Sequence, residues 1–447
     1  PPYMSTRNMA LALADHLRTA YTLAKSDLFA AFIDRCVRIV KDRGLTAMVT
    51  MHSWMFTGSY SAFRSSLIAN SAIVCLAHLG TGAFRSISGE VVQTVAFVLA
   101  AGTAPSRDGV YIRLVDLNND GEKPDALRVA AHDPASKNRW NTPSSAFQDI
   151  PGAPIAYWLP DEARQAFTNL PSLGAIAAPR VGMQTSNNAR YLRYWWEVSA
   201  SEVNVPLSSS SKWITYLKGG PFRRWYGNVE LVLHYKGDPQ YVLSQRNATI
   251  LSIERGEAPK VTWTDLTSGD FSARLAPHGS FHDIAGHCFY PRSVDVHWVL
   301  GYSTSQVFQM FLSVLNATMH AQVGDVGRIP VTESDRQEMS QLATRAVEIS
   351  RSDFERSETS PGYRRSEIVS RVDSETTIKQ AYRALATQWD TEIEELHSIE
   401  NAVDRLADPD YLSDGFLQPR DIRTVSLSVN PAFSFPRVGP TYGDEAR

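Results

Sequence analysis

Residues 26–51, SDLFAAFIDRCVRIVKDRGLTAMVTM, change period halfway along. Phe29, Phe32, Ile33, Cys36, Val37 and Val40 recur at the three-to-four spacing that lines one face of a helix, and Arg35, Arg38, Lys41 and Arg43 fall mostly off that face. Ser26 is placed to cap this helix, and Asp27 lies in its first turn, where the dipole favours an acid. Gly44 is expected to end it. LTAMVTM (45–51) follows at once and reads as a buried strand. A helix feeding directly into a strand is the repeating unit of an α/β fold.

The same alternation continues outward. SYSAFRSSLIAN (59–70) is a shorter helix, and AIVCLAHLG (72–80) and VVQTVAFVLA (91–100) are two strands joined by the loop around Gly80 to Glu90. This order predicts an α/β sheet with crossover connections, whose last adjacent pair can be antiparallel. Near Gly102 the texture changes. From there to about Pro330, short apolar runs such as DGVYIRLVDLNNDGEK, YWWEVSA and NVELVLHYKGDPQYVL are broken by polar turns, which predicts a β-rich domain with long loops. From Thr332 to about Asp408, two long charged segments carry apolar residues at helical spacing. Residues 409–447 hold several prolines and are expected to be extended or loosely packed. The expected boundaries are therefore 1–104, 105–331, 332–408 and 409–447. No internal repeat is visible.

A chain of 447 residues with 43% hydrophobic and 20% charged residues has an ordinary globular composition. A net charge of -3 means that any basic surface has to be local. Three unpatterned cysteines, Cys36, Cys75 and Cys288, do not read as a disulfide framework, so a reducing, cytoplasmic setting is expected. No apolar run is long enough for a membrane span, and no signal peptide is visible.

Three short stretches could carry chemistry. The first is Pro1-Pro2-Tyr3: two prolines restrict a loop, and a tyrosine at its end presents a flat aromatic face with little freedom. Such a face suits a nucleobase taken out of its stack, although a plain proline-rich segment looks the same. The second is KWITYLKGGPFRRWYGN (212–228), where Lys212, Lys218, Arg223 and Arg224 interleave with aromatic residues around Gly219-Gly220. It reads as a nucleic-acid contact or as the aromatic edge of a core with solvated charges. The third is HGSFHDIAGHC (278–288), where His278, His282, His287 and Cys288 match no common zinc spacing, and Asp283 and Gly286 read as turn formers. Glu90 is a lone acid at a strand start, and no nucleophile–base constellation for hydrolysis stands out.

Taken with MHSWMFTGSY, AHLGTGAF, GEVVQTVAFVL, KGGPFRRWYGN and QVGDVGRIPV, these stretches resemble the carboxy-terminal part of N6-adenine DNA methyltransferases. The family hallmark is Asn-Pro-Pro-Tyr, and Pro1-Pro2-Tyr3 matches its last three positions. More narrowly the chain resembles the PglX methyltransferases of BREX phage-defence systems, and it is compatible with the related DISARM enzyme. The resemblance implies the end of a Rossmann-like catalytic domain, then a β-rich α+β target-recognition domain and a helical region. It implies that Tyr3 stacks on a flipped adenine, that the Pro1 carbonyl accepts from the adenine amine, and that Pro2 shapes the loop. Tyr60 falls where a second aromatic meets the base, and Asp27, Leu28 and Phe29 border the cofactor pocket. Core packing is the competing reading for Phe29 and for Trp54.

The implied DNA contacts are Lys212, Lys218, Arg223, Arg224, Trp225 and Tyr226. The implied cofactor is S-adenosylmethionine, with no metal. The family's glycine-rich cofactor loop precedes its hallmark motif, so most of that site is expected outside this chain, which is expected to be inactive alone. The implied partners are double-stranded DNA, the amino-terminal half of the enzyme and, through the helical region, other defence proteins, with no membrane. The alternative is a non-catalytic DNA-specificity module that works with a separate catalytic chain.

Overall fold

A computed structural model describes residues 1–82, 93–117, 121–203, 211–266, 269–316, 319–332, 335–372, 376–408 and 418–435. The chain divides into two compact units, residues 1–169 with 313–318, and residues 170–312 with 319–447.

The first unit is built on a five-stranded sheet. Its strands are β1 (Leu45–Met51), β2 (Ser71–Gly80), β3 (Thr94–Ala101), β4 (Asp108–Arg113) and β5 (Arg139–Pro143), in the spatial order β1-β3-β2-β4-β5. β3 runs antiparallel to both β1 and β2, so β1 and β2 point the same way. β4 is parallel to β2, and β5 is antiparallel to β4. Three strands, β1, β2 and β4, therefore end at one edge of the sheet, the edge at which open α/β sheets commonly place ligands. The expected boundary near residue 104 falls between β3 and β4, two strands of this one sheet. The compact unit runs on to Asn169.

Of the helices α1 (Leu11–Ala20), α2 (Leu28–Ile39) and α3 (Ser61–Asn70), α2 packs on β1 and β3 and α3 on β2. Phe29, Ile33, Trp54, Phe63, Leu67, Phe97 and Tyr111 are core residues of this unit. Removing that much aromatic and aliphatic surface from water is its main stabilising term. Three local expectations need correction. Asp27, not Ser26, is the N-cap of α2, its carboxylate accepting the Phe29 amide at 3.3 Å. The helix stops at Ile39, five residues before Gly44, and Arg43 takes the positive φ of 59° at the turn. β1 is buried on one face only: Thr46 and Thr50 face the core, while Leu45 and Val49 are exposed. With a single strand neighbour and one covered face, the run alternates as a half-buried strand does.

The second unit holds two four-stranded sheets. β6 (Ala177–Arg180), β10 (Val261–Thr264), β11 (Ala273–Leu275) and β13 (Gly286–Pro291) are ordered β11-β10-β13-β6 and wholly antiparallel. β7 (Leu192–Tyr194), β8 (Trp213–Leu217), β9 (Leu231–His234) and β12 (Phe281–His282) are ordered β12-β8-β9-β7, with β12 parallel to β8. The helical region expected after residue 331 is present. Arg336–Glu355 packs on Val296–Thr304 and on the long helix Ile378–Ala407. Asp335 caps the first, and a capping box of Thr377 and Gln380 opens the last. Residues 418–435 are better packed than expected: Val425 and Leu427 are fully buried and Asn430 nearly so.

Candidate functional site

In the first unit the structure joins residues that are far apart in sequence. Residues 3–6 lie against residues 25–28. The Met4 amide donates to Asp27 Oδ1 at 3.0 Å, the Leu28 amide to the Met4 carbonyl at 3.0 Å, and the Thr6 amide to the Ser26 carbonyl at 3.2 Å. Asp27 Oδ1 thus serves twice, capping α2 and pinning the segment that begins with Pro1 and Pro2. Beyond it, Tyr3 meets Phe29 edge-on at 6.2 Å between centroids, and Phe29 meets Tyr60 at 5.9 Å. The Tyr3 hydroxyl donates to the Val49 carbonyl of β1 at 3.4 Å.

These rings differ in access. Phe29 and Tyr60 are buried, whereas Tyr3 is half-buried and Pro1 and Pro2 are exposed. Burial raises the pKa of Tyr3, and burial first and the Asp27 charge second raise that of Tyr60, so both stay neutral phenols. An aromatic floor with a half-exposed ring at its rim can stack a flat, uncharged ligand. Asp27, Leu28 and Phe29, implied as a cofactor border, fit that role only in part. One oxygen of Asp27 is engaged twice and the Phe29 ring is buried, so these three residues form an edge rather than a grip. Trp54 is a core residue: it is wholly buried, and its Nε1 donates to Thr50 Oγ1 at 3.2 Å.

A polar chain that the sequence reading missed crosses the strand-end edge of the same unit. His52 directly follows β1, His78 lies near the end of β2, and Arg113 ends β4. His52 Nδ1 and His78 Nε2 are 2.9 Å apart, and His78 Nδ1 is 3.1 Å from the Tyr157 hydroxyl. The Arg113 guanidinium lies beside that hydroxyl and over the Trp158 ring at 4.9 Å. Burial pushes His52 down to about 4 and His78 down to about 3, so both are neutral at physiological pH. A histidine directly after a strand was the only signal in the sequence, and the partners of His78 are 26 and 79 residues away.

In the second unit the cation-rich stretch 212–228 turns largely inward. Arg224 and Trp225 are buried, and both bind Glu400 of the long helix, Arg224 Nη1 at 2.9 Å and Trp225 Nε1 at 3.0 Å. Trp225 takes a φ of 70°, which is unusual for a bulky residue. Its amide and carbonyl are held by Ala273 at 2.9 Å and by Leu275 at 2.8 Å. Tyr226 is buried against Phe354. Arg224, Trp225 and Tyr226 are therefore framework residues here, not the solvent-facing contacts expected of them. Lys212 is exposed and paired with Glu202 at 2.8 Å, Lys218 is half-buried, and Arg223 lies over Phe354 and 3.5 Å from Asp353. Gly219 and Gly220 make the expected turn at φ 81° and 122°, where a side chain would meet the Ala285 carbonyl and Asn228.

The histidines of 278–288 have separate partners. His282 is buried between the Gly286 carbonyl and the Tyr290 hydroxyl, each at 2.9 Å; His287 faces Asp265, and His278 faces Glu257. Among the described residues no cluster of three or more His, Cys, Asp or Glu is placed to hold a metal. Asp283 does shape a turn, accepting the Ala285 amide at 2.9 Å and the Tyr216 hydroxyl at 2.6 Å. Glu90 lies outside the described residues. No described helix is long and apolar enough to cross a membrane.

The Eco57I restriction-modification methylase family matches residues 1–84, the span that carries the aromatic cluster. An adenine-specific methyltransferase PglX of Lacticaseibacillus casei (strain Zhang) is 31% identical over 423 residues, which is 91% of this chain and 35% of that protein. An adenine-specific methyltransferase BrxX of Escherichia coli O9:H4 (strain HS) is 32% identical over 414 residues, 91% of this chain and 33% of that protein. The type IIL restriction-modification enzyme MmeI, solved in complex with DNA, shares the fold. It has a TM-score of 0.53 at 12% identity over 94% of this chain and 54% of its own. The chain thus spans about a third of the length of the curated relatives it matches. Along nearly all of its own length it is similar to the PglX-type adenine-specific methyltransferases.

Proposed function

We propose that this chain forms the base-binding edge and the DNA-recognition region of a site-specific N6-adenine DNA methyltransferase of a phage-defence system of the BREX type. In this reading residues 1–104 belong to the catalytic domain and its sheet continues through β4 and β5; target recognition follows in the second unit up to residue 331, and 332–408 are a helical support. The observation that carries it is the docking of Pro1–Met4 on Asp27–Phe29, which sets Tyr3 at the rim of the Phe29–Tyr60 cluster.

An adenine extruded from duplex DNA loses its stacking, and the Tyr3 ring replaces it. The loop at Pro1-Pro2 offers a backbone carbonyl to the exocyclic amine, which orients the nitrogen lone pair for attack. S-adenosylmethionine supplies an electrophilic methyl group. Asp27, Leu28 and Phe29 border its place, and its grip falls to residues of the protein outside this chain. Transfer to a positioned neutral amine draws mainly on orientation. DNA contact in the second unit falls to Lys212, Lys218 and Arg223, with Arg224, Trp225 and Tyr226 supporting the turn that carries Arg223.

Methyl transfer from labelled S-adenosylmethionine to duplex DNA tests the reading. The chain alone is expected to give no turnover. The full-length protein is expected to label adenine and to lose about a hundredfold or more in Tyr3→Ala, since stacking and orientation are lost together. Turnover by the chain alone, or an unaffected Tyr3→Ala enzyme, would sink it.

A further inference from the structure

The chain Arg113–Tyr157–His78–His52 has a direction. A guanidinium only donates, so the Tyr157 oxygen beside Arg113 acts as an acceptor. The Tyr157 proton needs an acceptor of its own in this buried place, and His78 Nδ1 stands at 3.1 Å. A neutral His78 that accepts at Nδ1 carries its proton on Nε2, which donates to His52 Nδ1 at 2.9 Å. His52 then accepts at Nδ1, so its own proton sits on Nε2. Among the described residues that nitrogen has no hydrogen-bond partner, and it is not a buried orphan.

We infer that His52 is held as a neutral donor whose Nε2–H bonds a phosphate oxygen of the DNA strand carrying the target adenine. The inference rests on the proposed function and adds a named contact to it. Three observations point there. The chain lies where β1, β2 and β4 all end, the usual ligand edge of such a sheet. β1, which His52 directly follows, also gives its Val49 carbonyl to the Tyr3 hydroxyl, so one strand positions both the donor and the stacking ring. Lys123, whose Nζ donates to the Leu79 and Thr81 carbonyls at 2.8 Å each, and Arg113, partly balanced by Asp116, make this edge electropositive. An N–H donor in such surroundings suits an anionic oxygen, and phosphate oxygens receive most protein–DNA hydrogen bonds.

Two measurements on the protein test this. Nitrogen-15 NMR of the histidine rings is expected to show His52 and His78 both neutral and protonated at Nε2, and Tyr157→Phe is expected to mix the tautomers. Binding to a double-stranded DNA oligonucleotide across a salt series is the second. His52→Ala is expected to weaken binding roughly tenfold or more while leaving the slope of log affinity against log salt unchanged, because a neutral donor displaces no counterion. His52→Gln keeps an N–H near the same place and is expected to retain most of the affinity. A proton on His52 Nδ1 overturns the inference alone, as does a His52→Ala protein that binds like the wild type or shows a lower salt slope. A wild-type protein that does not bind the duplex overturns the proposed function, and the phosphate contact with it.

Discussion

Residues 1–60 and residues 212–228 both bring aromatic rings together with a local motif, yet the first leaves a ring at its surface and the second turns its rings inward. In the first unit Phe29 and Tyr60 are sealed in the core and Tyr3 is left at the rim, with Asp27 the nearby charge and its carboxylate held by two backbone amides. In the second unit Arg224, Trp225 and Tyr226 are drawn inside, because Glu400 on a helix some 176 residues later supplies the buried carboxylate that Arg224 needs. A cation–aromatic stretch faces outward only if nothing distant neutralises it. A buried charge is tolerated when paired and hydrogen-bonded, and the pairing is decided outside the motif.

The largest expected effect breaks the second half of that comparison. Glu400→Ala leaves Arg224 and the Trp225 indole unpaired in the interior and is expected to lower stability by about 3–5 kcal/mol, read by chemical denaturation. An unchanged midpoint would mean that the network is not what holds the turn. Next, Phe29→Ala is expected to cost about 3–5 kcal/mol as a core truncation. Tyr3→Ala at the rim is expected to cost about 1 kcal/mol or less in stability, although it is expected to lower methyl transfer by the full-length protein about a hundredfold or more. If the two cost the same, Tyr3 is core and the rim assignment fails.

The titration of the histidines sharpens the contrast from another side. His52, His78 and His282 have folded pKa values of about 4, 3 and 3, all set first by burial and all below the ordinary histidine value. Between about pH 6.5 and pH 4 the unfolded chain binds more protons than the folded one, so stability falls as the pH drops through that window. The two buried rings, His78 in the first unit and His282 in the second, should contribute up to about 1.4 kcal/mol per pH unit each. His78→Gln should flatten the profile, and a pH-independent midpoint from pH 6.5 to pH 4 would contradict burial of these rings. The smallest effect is expected at Lys212. Its pair with Glu202 is exposed on both sides, so Lys212→Ala should change stability by less than about 0.5 kcal/mol. If Lys212 meets phosphate, the same variant should lower the salt slope of DNA binding by about one.

Periodicity alone located α2, α3 and the strands expected at 45–51, 72–80 and 91–100, which the structure places at Leu45–Met51, Ser71–Gly80 and Thr94–Ala101, because each is long enough for its apolar pattern to outweigh local exceptions. It misplaced the cap by one residue, since Ser26 and Asp27 are both good caps and only the pairing of Asp27 with Met4 and Phe29 decides between them. It did not reveal that β4 and β5 extend the first sheet, because the Gly- and Asp-rich turns between residues 102 and 123 look like a change of domain while strand pairing does not depend on local composition. It also missed His52, His78 and Tyr157 as a set, for no local pattern records a hydrogen bond spanning 79 residues.

The order and type of the main elements, the Pro-Pro-Tyr segment and the family likeness were thus determined by the amino-acid sequence itself, through short-range spacing and residue chemistry. Tertiary structure decided which aromatic rings are floor and which is rim, and which cations are spent inside the fold. It also brought His52, His78 and Tyr157 into one hydrogen-bonded chain at the strand ends. These are matters of burial and of partners remote in sequence, and they are settled only when the chain has closed on itself.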